Sequence, residues 1–115
     1  MTLTIFHNPR CSKSREALRL IQAEGLEPRV IRYLDEPPDA ETIEAVLAML
    51  GIEPRALMRT KEAEYAALGL DDPSLSRASL VAAMVAHPRL IERPVVVKDG
   101  KAIIGRPPER VLSIL

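Results

Sequence analysis

Thr2-Leu3-Thr4-Ile5-Phe6-His7-Asn8-Pro9-Arg10-Cys11-Ser12-Lys13-Ser14-Arg15 runs from an apolar strand through a polar turn into a helical pattern that continues to Glu24. Cys11 is the single cysteine of the chain and stands at that seam. A thiol there faces the unpaired backbone N–H groups of a helix start, with Arg10, Lys13, Arg15 and His7 close in sequence. Each favours the thiolate, and the thiolate is the nucleophile. A buried structural cysteine is the alternative, because free cysteine packs as a small hydrophobe. Such cysteines sit inside apolar runs, whereas Cys11 lies in a polar, basic turn, so a reactive thiol is the reading adopted.

Outward from this stretch, Ala17, Leu18, Leu20 and Ile21 form the apolar side of a first helix, which Gly25 closes. Val30, Ile31 and Tyr33 read as a second strand, parallel to the first because a helix joins the two. Asp35-Glu36-Pro37-Pro38 is a rigid break. Beyond it the pattern is helical. Asp39 caps a helix with Ile43, Val46, Leu47 and Leu50 on one face, and Gly51 ends it. Pro54 opens a short turn through Arg55 to Arg59, Glu62 to Leu68 reads as another short helix, and Ser76 caps a longer one carrying Leu80, Val81, Met84 and Val85. His87-Pro88 stops that helix. Pro94-Val95-Val96-Val97, then Asp99-Gly100, then Ala102-Ile103-Ile104 is a hairpin signature. Pro107-Pro108 starts a final helix with Val111, Leu112, Ile114 and Leu115 expected inward.

Composition narrows the function classes. The 115 residues suit one domain, and 47% hydrophobic content argues against disorder. Sixteen basic residues balance sixteen acidic ones, and the only aromatics are Phe6, Tyr33 and Tyr65. A neutral, aromatic-poor chain is a poor nucleic-acid binder. No apolar run approaches the about 18 residues of a membrane span, and no secretory pattern opens the chain. A lone cysteine forms no internal disulfide, so a reducing cytoplasm is the expected location. The spacing of His7, Cys11 and His87 offers no metal site. No coiled-coil heptad occurs, and a monomer is the default expectation.

Four motifs carry a resemblance: His7-Asn8-Pro9-x-Cys11-x-x-Ser14-Arg15, Arg55-Ala56-Leu57-x-Arg59, His87-Pro88-x-Leu90-Ile91-x-Arg93-Pro94 and Gly105-Arg106-Pro107. In type and order they resemble the glutaredoxin-coupled arsenate reductases, from about Thr2 to the last residue. The resemblance implies an α/β thioredoxin-like fold with a small mixed four-stranded sheet, ordered β-α-β, helical insert, β-β-α. It implies a single domain over 1–115 with the insert at about 39–87. It also implies a cis peptide bond before Pro94.

The implied activity is reduction of arsenate to arsenite through a Cys11 adduct, resolved by glutathione and glutaredoxin, with no bound cofactor. Arg59, Arg93 and Arg106 are the implied substrate-binding and catalytic arginines; the planar guanidinium fork suits a tetrahedral oxyanion. His7 and Ser14 are supporting candidates: His7 through its charge or by closing the strand end, Ser14 by hydrogen bonding to the thiolate or as a plain helix-surface serine. With no second thiol in the chain, any disulfide step recruits an outside thiol. Two rivals stand beside this reading. One is a glutathione-dependent thiol reductase of another substrate. The other is a non-catalytic transcriptional regulator of the Spx type, although such regulators carry a Cys-x-x-Cys switch where this chain has Cys11 and Ser14.

Overall fold

Alternation along the first strand decides which side chains meet the first helix. The computed structural model describes residues 3–115; Thr2, quoted with the first strand, lies outside the described residues. Strand β1 (Leu3–His7) is followed by helix α1 (Ser12–Ala23) and strand β2 (Arg29–Arg32). Strands β3 (Val95–Lys98) and β4 (Lys101–Ile104) complete a four-stranded sheet in the order β2-β1-β3-β4. β1 pairs in parallel with β2 and antiparallel with β3, and β3 pairs antiparallel with β4, so the sheet is mixed as expected. Period two puts Leu3, Ile5 and His7 on one face of β1. Leu3 and Ile5 join Ala17, Ile21, Val96 and Val111 in the core. In α1 the buried residues are Ser14, Ala17 and Ile21, a stripe at helical spacing that points back toward Cys11.

The chain divides into two compact units. One ends at Glu36 and resumes from Arg93 to Leu115, and so holds the sheet, α1 and Cys11. The other, Pro37–Glu92, is helical. It contains α2 (Ala40–Leu50), a 3-10 turn at Pro54–Leu57, α3 (Ala63–Ala67), α4 (Arg77–Ala86) and a 3-10 turn at Pro88–Leu90. The capping expectations hold. Asp39 Oδ1 accepts from the Thr42 N–H at 2.8 Å, Ser76 Oγ accepts from the Ser79 N–H at 3.1 Å, and Gly51 ends α2 at φ 68°. Ile43, Val46 and Leu47 of α2 and Leu80, Val81 and Met84 of α4 are buried. An isolated antiparallel bridge joins Met58 to Ile91, flanked by Arg59 N–H to Leu90 O and Glu92 N–H to Leu57 O, each 2.7 Å.

Two expectations need correcting. Tyr33 falls just past β2 rather than within it, where it is buried; on β2 itself Val30 is 42% exposed. The final helix, Pro108–Ile114, is a 3-10 helix rather than an α-helix. Seven residues make under two α-turns, too few to offset nucleation, and the tighter i→i+3 repeat aligns Pro108, Val111 and Ile114 on one edge. That repeat turns Leu112 outward, 42% exposed, against the expectation that it faces inward.

The β3–β4 hairpin turns through Asp99 (φ 51°) and Gly100 (φ 82°), the two positive dihedrals a type I′ turn needs. Its register pairs Val95 with Ile104, which brings Gly105 beside Pro94; the Gly105 N–H donates to Pro94 O at 2.8 Å. A Cβ on Gly105 would lie 2.9 Å from both Pro94 Cγ and Val111 Cγ1. The peptide bonds Arg93–Pro94 and Arg106–Pro107 are both cis; the second is not anticipated from the sequence. Gly105→Ala should cost about 1–3 kcal/mol, the scale of overpacking a tight core, read by denaturant unfolding. A midpoint equal to wild type would show that the proline ring and Val111 give way freely.

Candidate active site

The turn between β1 and α1 is shaped by its own polar groups. Asn8 O accepts from the Cys11 N–H at 3.0 Å, and Asn8 Oδ1 accepts from the Arg10 N–H at 3.0 Å. Arg15 Nη1 donates to Pro9 O at 3.0 Å from the first turn of α1. These bonds use up the turn's backbone groups and set Cys11, in extended conformation, as the N-cap residue of α1.

Cys11 is half-buried and free of any disulfide. Partial burial acts against its ionisation, but that effect is outweighed: the Ser14 N–H, the Arg93 guanidinium and the Lys13 N–H face the sulfur and hold its pKa below the ordinary thiol value. The sulfur makes no side-chain cap hydrogen bond of normal geometry, so these N–H groups act mainly as oriented dipoles. The lowered thiol pKa therefore has a local cause in the fold.

His7, the last residue of β1, and Ser14 bond each other rather than the sulfur. His7 follows Ile5 on the helix-facing side of β1, and Ser14 heads the buried stripe of α1, so the two meet: His7 Nδ1 lies 2.6 Å from Ser14 Oγ in a buried hydrogen bond. The same Oγ accepts from the Asn8 N–H at 3.0 Å. Burial lowers the His7 pKa, and the Arg32 and Arg15 charges lower it further; Arg32 is the direct β2 partner of His7. The neutral form of His7 is thus favoured, and His7 is not among the groups that lower the Cys11 pKa. Ser14 is fully buried rather than a surface serine, its hydroxyl is engaged with His7 and Asn8, and its backbone N–H is what faces Cys11.

Of the three arginines, Arg93 is the one whose guanidinium acts directly on Cys11. Arg106 Nη1 reaches the Arg93 carbonyl oxygen at 3.4 Å, so both belong to the loops flanking Gly105. Arg59 lies in the helical unit, where its Nη1 pairs with Glu62 at 2.5 Å. The sequence assigns no functional role to Asn8 or Glu62; Arg15, expected to favour the thiolate, bonds Pro9 O and acts on His7 instead. The Arg59–Glu62 spacing of three was a visible signal, being that of a local ion pair. The bonds of Asn8 depend on turn geometry and left no such mark. Among the described residues no cluster of three or more His, Cys, Asp or Glu is placed to hold a metal.

A small mixed sheet, a first helix that begins at an ionisable cysteine and a cis-proline loop beside that cysteine define a thioredoxin-like thiol protein. The family model "ArsC family" matches residues 6–114, and the chain belongs to the ArsC family. It is 55% identical to the Escherichia coli K12 protein named "Uncharacterized protein YfgD", over 96% of this chain and 94% of that one. It is 46% identical to a Haemophilus influenzae protein named arsenate reductase, over the full length of both. A solved structure titled "Arsenate reductase from Vibrio cholerae" superposes with a TM-score of 0.98 at 52% identity, covering 100% of this chain and 98% of that one.

The electrostatics of Cys11 give a pH prediction. Alkylation by iodoacetamide should rise with pH as thiolate forms, with its midpoint below that of a free cysteine peptide in the same buffer. Arg93→Ala removes a group that favours the anion, so its midpoint should move upward. A wild-type midpoint at or above that of the peptide would mean that burial prevails over the N–H groups and the guanidinium.

Proposed function

We propose that this protein is an arsenate reductase, an oxidoreductase that works through Cys11 and draws its electrons from glutathione and glutaredoxin. The observation that carries the reading is the lone, half-buried Cys11 with the Arg93 guanidinium acting on its sulfur. Family membership and relatives named arsenate reductase support the substrate. Arsenate is a tetrahedral oxyanion, and charged, planar donors aimed at its oxygens stabilise the charge that builds as sulfur attacks. In this reading Arg93, Arg106 and Arg59 are those donors.

In the first step the Cys11 thiolate forms a sulfur–arsenic bond and an arsenate oxygen leaves as water. Glutathione thiolate then adds to arsenic and a second oxygen leaves as water. The glutaredoxin thiolate attacks the glutathione sulfur, forming a mixed disulfide. The electron pair of the broken sulfur–arsenic bond stays on arsenic, which passes from As(V) to As(III). Hydrolysis of the remaining Cys11–arsenic bond releases arsenite and restores the thiolate. External thiols are required because the chain has no second cysteine. A reducing cytoplasm fits this chemistry, and among the described residues no helix is long and apolar enough to cross a membrane.

The test is a coupled assay with glutathione, glutaredoxin, glutathione reductase and NADPH. Addition of arsenate should drive NADPH consumption, and Cys11→Ser should abolish it; equal rates for the two proteins would rule the mechanism out. Arg93→Ala and Arg59→Ala should each lower kcat/KM by about 100-fold, the scale for losing one preorganised donor. A near-wild-type Arg93→Ala enzyme would place the oxyanion elsewhere.

A further inference from the structure

Glu62 stands where its carboxylate has no structural task except Arg59. It is the N-cap residue of α3, yet its side chain makes no cap hydrogen bond, and glutamate is not among the residues favoured there. The backbone around the pair is fixed without the carboxylate. Arg59 is held by its N–H to Leu90 O at 2.7 Å, and the Glu62 N–H donates to Arg59 O at 3.0 Å, closing the turn between them. The carboxylate instead bonds Arg59 Nη1 at 2.5 Å, in a pair whose side chains are only 27% and 18% exposed. Partial burial leaves this contact less screened by solvent than a fully exposed ion pair. A carboxylate and a tetrahedral oxyanion seek the same donors on a guanidinium.

We propose that Glu62 is an internal competitor for Arg59, a carboxylate that an incoming oxyanion must displace and that thereby sets the affinity for substrate. The proposal rests on Arg59 being an oxyanion-binding residue, as in the reading above. With the carboxylate bound, the local charge at Arg59 is cancelled, and an anion gains the arginine only by giving Glu62 back to water. Glu62 is on this account a specificity-determining residue: an anion that cannot outbid a carboxylate for the fork is rejected.

The test uses inorganic phosphate, an unreactive tetrahedral oxyanion, titrated into the full-length protein while the Arg59 side-chain Nε–H signal is followed by NMR. Glu62→Gln keeps the shape and removes the charge. Glu62→Ser removes the carboxylate and places a favoured cap on α3, which guards against a folding defect. Half-saturation of the Arg59 signal should fall about tenfold in both variants, the effect of one partly screened charge. The KM for arsenate should fall by a similar factor, while kcat changes less. Half-saturation unchanged or raised in both variants would overturn the proposal, as would an Arg59 signal blind to phosphate in all three proteins. If wild type responds to phosphate at Arg59 but does not reduce arsenate, the proposed function fails and the competition for Arg59 stands.

Discussion

A half-buried sulfur whose ionisation is nonetheless favoured is the constraint on which the site depends. Burial alone would keep Cys11 protonated, and full exposure would leave it an ordinary thiol. The chain resolves this by making Cys11 the residue that starts α1, where the Lys13 and Ser14 N–H groups have no intrahelical partner, and by bringing Arg93 to the same sulfur. Two of these groups are backbone atoms fixed by the helix, and the third follows directly from the loop that Pro94 and Gly105 anchor.

That arrangement requires the start of α1 to stay in place against β1, and the His7–Ser14 bond supplies the attachment. It is a polar contact at the end of an apolar seam, directly above Ile5 and Ala17. A buried polar pair is tolerated only if its hydrogen-bonding groups are met, and Ser14 Oγ meets both His7 and the Asn8 N–H. Neutrality of His7 belongs to the same logic. A buried cation here, facing the charges of the exposed Arg15 and Arg32, would cost both desolvation and repulsion.

Much of the fold was legible because local signals and burial agree. Asp39, Ser76 and Gly51 mark helix ends by capping chemistry, and Asp99-Gly100 marks the hairpin by the dihedrals it permits. The errors fall where tertiary packing overrides pattern. Leu112 reads as core on an α-helical wheel, but the segment winds as a 3-10 helix and the wheel does not apply. At the site, residue types were visible and their partners were not. That Cys11 starts a helix in a basic turn can be read from the chain, but the cation acting on its sulfur is the sequence-distant Arg93, and the turning of Ser14 toward His7 depends on the meeting of a strand face with a helix face.

Arg93 and Arg106 share a property that lysine in their place would lack. Arg93 acts on Cys11, and Arg106 donates one N–H to the Arg93 carbonyl. Each is thus tied to the protein by part of its fork. A guanidinium has five donors in a rigid plane, so one edge can be held by the protein while the remainder binds an anion. An ammonium is a point charge on a flexible stem, and a contact that fixed its position would consume the charge meant for substrate. Orientation of a guanidinium and binding of an anion can therefore coexist on one side chain, because the fork separates them.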